Sequence, residues 1–452
     1  MTELDNLREK INEITFEMLK LLKTRTDLSK EIGNTKQNLG MNIADEARED
    51  ELRNYVIQLC KDIKLDEKIA TKFLNFLLNE SISIQSKNKQ THLSIFLKAK
   101  SLEEQGKKII HLEVGEPDFQ PPKIVKDALE HVYEKGYGKY GPSKGIPELR
   151  ESLAKKNSQQ YSSITQDNIM VCPGARFGIY LAITTLLNPG DEIIIIEPSW
   201  PAFSDCAINA GIKVRSIKTT LENKWEPTVE QIENVINSNT KMIVMNYPNN
   251  PTGKILPKKL QDNIIEIAKR NDLYVLSDEI YSEYAFTEWK SVLSYGYDKS
   301  IITQSFSKSH AMTGYRIGYV IADQTIIDKM ATLQSLSITN VSEPIQYVAL
   351  QALNADISNN SKLIKSKIDI LVEKATQLKL QFIKPDGAMY IFAKIRDDFD
   401  ATKFACDLLD DGVAIAPGEG FGDYKNFVRI TAIQDEKRLI EGLTMIEKRL
   451  NG

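Results

Sequence analysis

The sequence predicts a multidomain protein: a short all-α unit of three helices, then a larger α/β unit built on a parallel sheet. Three observations carry that prediction. At 452 residues the chain is about three times the length of a typical domain, which excludes a single small binding module. Residues 1–90 hold no proline and only Gly33 and Gly40, while every proline, tryptophan and histidine comes later. From Ile109 onward, short β-rich apolar runs alternate with amphipathic stretches, as expected of strands covered by helices on both faces.

In the first unit apolar residues recur at helical spacing, at Leu7, Ile11, Ile14, Met18, Leu21, Leu22 and Leu28, then Leu52, Val56 and Leu59, then Ile69, Phe73, Phe76 and Leu77. The spacing predicts a long first helix broken near Gly40, a second from near Asp45 and a third from about Asp66. So short a helical unit buries little alone, and a partner is expected. The polar run QSKNKQ at 85–90 reads as the linker. Beyond it the strands are IIHLEV, NIMVC, DEIIIIEP, TKMIVMNYP, DLYVLSDE and SIITQSF, each followed by a turn and an amphipathic segment. Reactive groups are then expected in loops beyond the strand carboxyl ends.

Composition narrows the function. A hydrophobic share of 42% with 27% charged residues excludes wholesale disorder. A net charge of -4 supplies no basic field for nucleic acid or acidic lipid. The four cysteines, Cys60, Cys172, Cys206 and Cys406, are far apart, which suggests neither a disulfide framework nor a metal cluster and fits a reducing compartment. The chain opens on charged residues and has no apolar run near the length that spans a bilayer, so a cytoplasmic protein that binds no membrane is expected.

The first unit offers a set of cations, acids and amides. Arg8 and Arg25 lie about 25 Å apart on one helix, too far to grip one small anion unless a second chain contributes. Arg25 and Lys36 point the same way, within about 20° on an ideal helix. Asp45, Arg48 and Glu49 share one face, and Ser81 and Gln85 another. Taken singly, each is an ordinary solvated side chain. As a set of eight positions in register they resemble the all-helical chorismate mutases, over the whole segment. The resemblance implies that Arg8 of a partner chain and Arg25 hold the substrate carboxylates and that Arg48 supports them. Glu49 and Asp45 would hold the hydroxyl, Lys36 and Gln85 the ether oxygen, and Ser81 would line the site. The rearrangement of chorismate to prephenate needs no nucleophile, acid or metal; it needs the compact conformer and fixed donors where negative charge develops.

In the larger unit, Ser305-Phe306-Ser307-Lys308 follows an apolar strand and precedes Arg316 in GYRIGY. NYPNNPTG at 246–253, LSDEIY with Asp278 and Tyr281, VGEPDF, KYGPSKG, CPGAR and EPSWPAF complete the pattern. Together these resemble fold-type I pyridoxal-phosphate enzymes, specifically class I aminotransferases of the aspartate aminotransferase group. That resemblance implies a large domain containing a parallel sheet and a small α+β domain. It divides the chain into a helical domain (1–88), a linker and arm (89–120), a cofactor-binding domain (121–330) and the small domain (331–452).

The same resemblance implies that Lys308 carries pyridoxal 5'-phosphate on its amine and shuttles the proton, and that Asp278 pairs with the ring nitrogen. Asn250 and Tyr281 would donate to the phenolic oxygen, and Trp200 would stack on the ring. Ser305, Arg316 and the amides at Gly174 and Ala175 would hold the phosphate, with Tyr140 of a neighbouring subunit. Arg429 would take the substrate α-carboxylate in a fork, beside Gly115. Alone, Trp200 reads as core packing and Arg429 as a surface ion pair. Arg176 either meets a distal carboxylate or faces solvent or the phosphate. His310 reads as structural.

The two resemblances imply successive steps of aromatic amino-acid synthesis. The aminotransferase would act on prephenate, or on phenylpyruvate and 4-hydroxyphenylpyruvate, with glutamate or aspartate as donor. The alternative is an aspartate aminotransferase controlled by a helical domain that senses chorismate or an aromatic product. Arg8 and Tyr140 each reach a partner's site in this reading, so a homodimer or larger homo-oligomer is expected.

Overall fold

The computed structural model describes residues 2–38, 46–86, 92–159 and 164–451. They divide into two compact units, Met1–Lys89 and Gln90–Gly452. Among the described residues no helix is long and apolar enough to cross a membrane.

The first unit is three helices, α1 (Glu3–Asn38), α2 (Glu46–Ile63) and α3 (Glu67–Ser86). Asp66 starts α3 by accepting from the Lys68 N–H at 2.7 Å, which satisfies one of the donors a helix start leaves open. Gly33 lets α1 approach α3: a Cβ there would stand 3.0 Å from Gln85 Cγ. The interior is thin, with Cys60, Ala70, Leu74 and Leu78 its buried apolar residues. The stripe Leu7, Ile11, Ile14, Met18 and Leu21 on α1 stays exposed, up to 70% at Leu21.

The second unit begins with α4 (His92–Glu104), β1 (Ile110–His111), α5 (Lys123–Glu134) and α6 (Pro147–Ser158). Then come β2 (Ile169–Cys172), α7 (Ala175–Leu186), β3 (Glu192–Glu197), α8 (Ala202–Asn209), β4 (Lys213–Lys218), α9 (Val229–Val235), β5 (Thr240–Asn246) and α10 (Lys258–Arg270). They are followed by β6 (Tyr274–Asp278), β7 (Ser300–Ser305), α11 (Phe306–Ser309), β8 (Gly318–Ile321), α12 (Gln324–Ile338) and α13 (Glu343–Ala352). The chain ends with α14 (Ser358–Gln377), β9 (Tyr390–Lys394), α15 (Ala401–Asp411), β10 (Val413–Ala414), β11 (Ala416–Pro417), β12 (Phe427–Thr431) and α16 (Glu436–Asn451).

Seven strands form one sheet in the order β2-β8-β7-β6-β5-β3-β4, all parallel except β8, which runs against both its neighbours. The run EIIIIE explains why both faces are covered. Ile193 and Ile195 pack with Ile179 of α7, Phe203 of α8 and Ile327 of α12. Ile194 and Ile196 point the other way, onto Ile232 of α9 and Ile264 of α10. Each such side chain contributes about 1.5–3 kcal/mol on burial, so a continuous apolar run is stable only between two helical layers.

A smaller antiparallel sheet, β11-β12-β9, packs with α14, α15 and α16 around a second core. The division at 330 falls inside α12, and α12 and α13 belong with the large sheet: Ile326 and Met330 join Ile193, and Val348 and Ala349 join Ile169 and Ile302. The segment 89–120, expected as linker and arm, contains α4, whose Ile95 and Ala99 are fully buried in the small-sheet core. Next to it β1 pairs with β10. Its apolar spacing is helical, but the adjacent polar run masked that reading.

Candidate active sites

In the second unit, parallelism brings the carboxyl ends of β5, β6 and β7 to one edge of the sheet, where ligands bind in open α/β folds. Asp278 ends β6 beside Asn246, which ends β5 and whose Nδ2 donates to the Asp278 carbonyl at 3.0 Å. The Asn246 side chain also accepts from the Asn250 N–H at 3.0 Å, which fixes the NYPNNPTG turn over the same edge. Past β7, Ser305 caps α11 by accepting from the Ser307 N–H at 3.0 Å, and this short helix carries Lys308.

These residues surround a cavity of about 540 Å³. Lys308, Asp278, Tyr281, Trp200, Asn250 and Arg429 line it, and so do Gly115, Ala175, Arg176 and Arg316. The Lys308 amine donates to the Gly115 carbonyl. Burial pulls that amine down to about 8, with Arg429 and Arg316 acting in the same direction against Glu116 and Asp278. Burial pushes the Asp278 carboxyl up to about 6, against a Thr303 hydrogen bond, the Ile280 N–H and the Lys308 charge. A neutral amine and a charged carboxylate are thus both accessible near neutrality.

Arg429 is 2% exposed. It is packed between the rings of Tyr390 and Phe421, at 4.5 and 4.9 Å. Its Nη1 donates to Asn250 Oδ1 at 2.8 Å and its Nη2 to the Glu113 carbonyl, while Nε is buried without a partner. Arg176 lies over the Trp200 ring at 4.7 Å. Gly174 precedes α7 with φ +86, and a Cβ there would stand 2.7 Å from Arg316 Nη2. Glycine thereby leaves room for an anion between a helix start and a guanidinium.

Three expected residues stand apart from the lining, Gly174 beside Ala175 being one. Ser305 is buried, donating to the Ile317 carbonyl at 2.9 Å, and its neighbour Ser307 reaches the cavity instead. Tyr140 is 89% exposed and outside this chain's lining. His310 is 3% exposed and bonded to Ser309 at 2.8 Å, and burial draws it down to about 4. Sequence reasoning missed Tyr390, whose hydroxyl lies 2.5 Å from that of Tyr281. A Cβ on Gly115 would stand 2.0 Å from that hydroxyl, which explains the glycine. Tyr390 sits on a buried strand, where spacing alone marks an aromatic residue as core.

The donor set fits pyridoxal 5'-phosphate. The buried amine suits its aldehyde, the buried carboxylate its ring nitrogen, and the Gly174–Arg316 cradle its phosphate. The orphaned Arg429 Nε and the guanidinium around it suit a carboxylate.

In the first unit, α1 and α3 bring Arg25, Ser81 and Gln85 together. Arg25 Nη1 donates to Ser81 Oγ at 2.5 Å and to the Leu77 carbonyl at 2.8 Å. Ser29 adds a bond to Ser81 at 3.1 Å, and burial lowers the Arg25 pKa. Gln85 Oε1 is buried without a partner, directly opposite Gly33. Lys36 lies on α1 just past Gly33, Arg48 and Glu49 open α2, and Arg48 pairs with Glu51. Arg8 is near the far end of α1, 68% exposed beside Asp5 at 3.9 Å. Asp45 lies outside the described residues.

Known proteins share both regions. Residues 7–86 match chorismate mutase type II, and residues 107–444 match aminotransferase class I and II. An aspartate aminotransferase of Thermotoga maritima is 35% identical over 359 residues, covering 78% of this chain and 94% of its own. An aspartate/prephenate aminotransferase of Thermus thermophilus is 32% identical, over 80% of this chain and 96% of its own. The crystal structure of an aspartate aminotransferase from Thermotoga maritima superposes with a TM-score of 0.78 at 34% identity, covering 82% of this chain and 99% of that one. The chain belongs to the class I and II aminotransferases, which depend on pyridoxal phosphate, and joins to that enzyme a chorismate mutase type II domain.

Proposed function

We propose that the first unit rearranges chorismate to prephenate, and that the second transaminates prephenate or an aromatic 2-oxo acid made from it, with glutamate or aspartate as amino donor. The observation that carries this reading is that one chain holds both the Arg25–Ser81–Gln85 cluster and the Lys308–Asp278–Arg429 cavity. Relatives named for aspartate and for aspartate/prephenate support the choice of substrates.

In the mutase, Arg25 holds a substrate carboxylate, and Lys36 and Gln85 donate where the breaking ether bond leaves negative charge. The side-chain amide of Gln85 is half-buried at the Gly33 crossing, so its donors cost little reorganisation as charge develops. Arg48 and Arg8 of a second chain complete the anion site, with Glu49 and Asp45 on the hydroxyl. The exposed apolar stripe of α1 supports that second copy, since a monomer rarely leaves such a stripe in water.

In the aminotransferase, pyridoxal 5'-phosphate supplies an aldehyde for the amino group and a ring that accepts electrons. Asp278 would keep the ring nitrogen protonated, Trp200 would cover the ring, and Asn250 and Tyr281 would meet its phenolic oxygen. Arg429 takes the α-carboxylate and orients the Cα–H bond toward Lys308, whose amine, near 8, takes the proton there and returns it. Arg176, held on Trp200, meets the distal carboxylate of glutamate, aspartate or prephenate. Turnover of prephenate, phenylpyruvate, oxaloacetate and 2-oxoglutarate as acceptors by the whole purified chain tests the reading. Turnover of prephenate or phenylpyruvate supports it. Use of oxaloacetate and 2-oxoglutarate alone overturns it in favour of an aspartate aminotransferase with a sensing domain.

A further inference from the structure

We propose that Thr303 is a positioning residue for the cofactor, its hydroxyl holding one oxygen of Asp278 so that the carboxylate stays charged and oriented toward the cavity it lines. The inference rests on Asp278 being the carboxylate that meets the ring nitrogen.

Thr303 lies directly across from Asp278 in the β6–β7 register and is fully buried. Its Oγ1 donates to Asp278 Oδ1 at 3.0 Å, and its carbonyl accepts from the Glu279 N–H at 3.0 Å. Its methyl faces α7, where a Cβ on Gly178 would stand 3.6 Å from Thr303 Cγ2. A β-branched side chain has few χ1 choices; with the methyl against the helix, the hydroxyl is committed to Asp278. Asn246 fixes only the main chain of Asp278, and the Ile280 N–H is the other donor to its carboxylate.

The hydroxyl matters because the carboxylate is held near its limit. The titratable groups coupled to Asp278 are Lys308, Glu279, Tyr281 and Tyr390, and Arg176, Arg316, Arg429 and Glu116 line the same cavity. Of the coupled groups Lys308, itself half neutral near 8, favours the charged form. With burial already pushing the carboxyl to about 6, loss of the Thr303 donor moves it higher. A carboxyl with a higher pKa is charged only at higher pH, so the loss is greatest at the acidic end and fades as pH rises.

The test is the affinity of the full-length apoenzyme for pyridoxal 5'-phosphate, read by quenching of tryptophan fluorescence between pH 6.5 and 8.5. Thr303→Val is expected to raise Kd about 10-fold at pH 6.5 and less than about 2-fold at pH 8.5, as for loss of a hydrogen bond to a charged group. Thr303→Ser is expected to follow the wild type. Should valine not fold, Thr303→Ala set against Thr303→Ser isolates the hydroxyl, because both lack the methyl. Equal Kd values with and without the hydroxyl across the pH range overturn the proposal. Asp278→Asn separates the two levels: if it weakens binding while Thr303→Val does not, only the role of Thr303 falls. If neither variant weakens binding, the assignment of Asp278 falls with it.

Discussion

The two units solve the same electrostatic problem with unequal means. In the second, Arg429 and Asp278 are buried within one chain, and each has its neighbours fixed by strand ends and aromatic rings. In the first, Arg25 is only half-buried, Arg8 is at the far end of the helix, and the apolar stripe of α1 faces water. A thick core can bury charges such as these within one chain, even where a partner adds a residue at the rim; a thin helical unit must borrow both surface and charge from a partner. The number of apolar layers around a charge thus decides how much of its surroundings one chain can supply.

The sharpest way to break this comparison is to remove one amine from each unit. Lys308→Ala is expected to lower transamination by at least about 10⁴-fold, as for loss of a covalent and acid–base group, and to abolish the visible absorbance of the bound cofactor. Chorismate turnover by the same sample should stay at the wild-type rate. Retained absorbance would show that the wrong lysine was named. Lys36→Ala is the converse: loss of one fixed donor lowers mutase turnover by about 10²–10³-fold while transamination persists. Unchanged prephenate formation would remove Lys36 from the site.

These two amines also mark what the sequence makes legible. Lys308, Asp278 and Arg316 stand in short motifs because Asp278 ends β6, Lys308 lies three residues past β7 and Arg316 two residues before β8, so chain order and spatial order agree. Arg25, Ser81 and Gln85 were legible through helical spacing, which sets the faces of α1 and α3. Tyr390 and Thr303 were not, because they stand on buried strands, where aromatic and β-branched residues are what packing alone selects. The packing of α12 and α13 on the large sheet was hidden for a related reason: an amphipathic helix announces a buried face but not which sheet it covers.

Arg176 sharpens the comparison further, since it is a cation of the second unit that lies on the Trp200 ring at the cavity wall. Arg176→Ala is expected to cost about 30-fold in kcat/KM for dicarboxylic substrates, as for a lost partner of a hydrogen-bonded charge, and under about 3-fold for monocarboxylic ones. Equal losses for both would mean that Arg176 supports Trp200 and does not meet the distal carboxylate.

The smallest effect separates packing from cofactor contact. Tyr281 and Tyr390, both buried, share a hydrogen bond, and a buried hydroxyl left alone costs about 1–3 kcal/mol. In Tyr390→Phe the Tyr281 hydroxyl loses that partner, but a bound cofactor offers its phenolic oxygen in exchange. The apoenzyme is therefore expected to melt about 2 °C lower than wild type, and the loaded enzyme to change by less than half of that. An equal drop in both forms would mean that Tyr281 does not reach the cofactor, leaving the tyrosine pair as packing beneath Arg429.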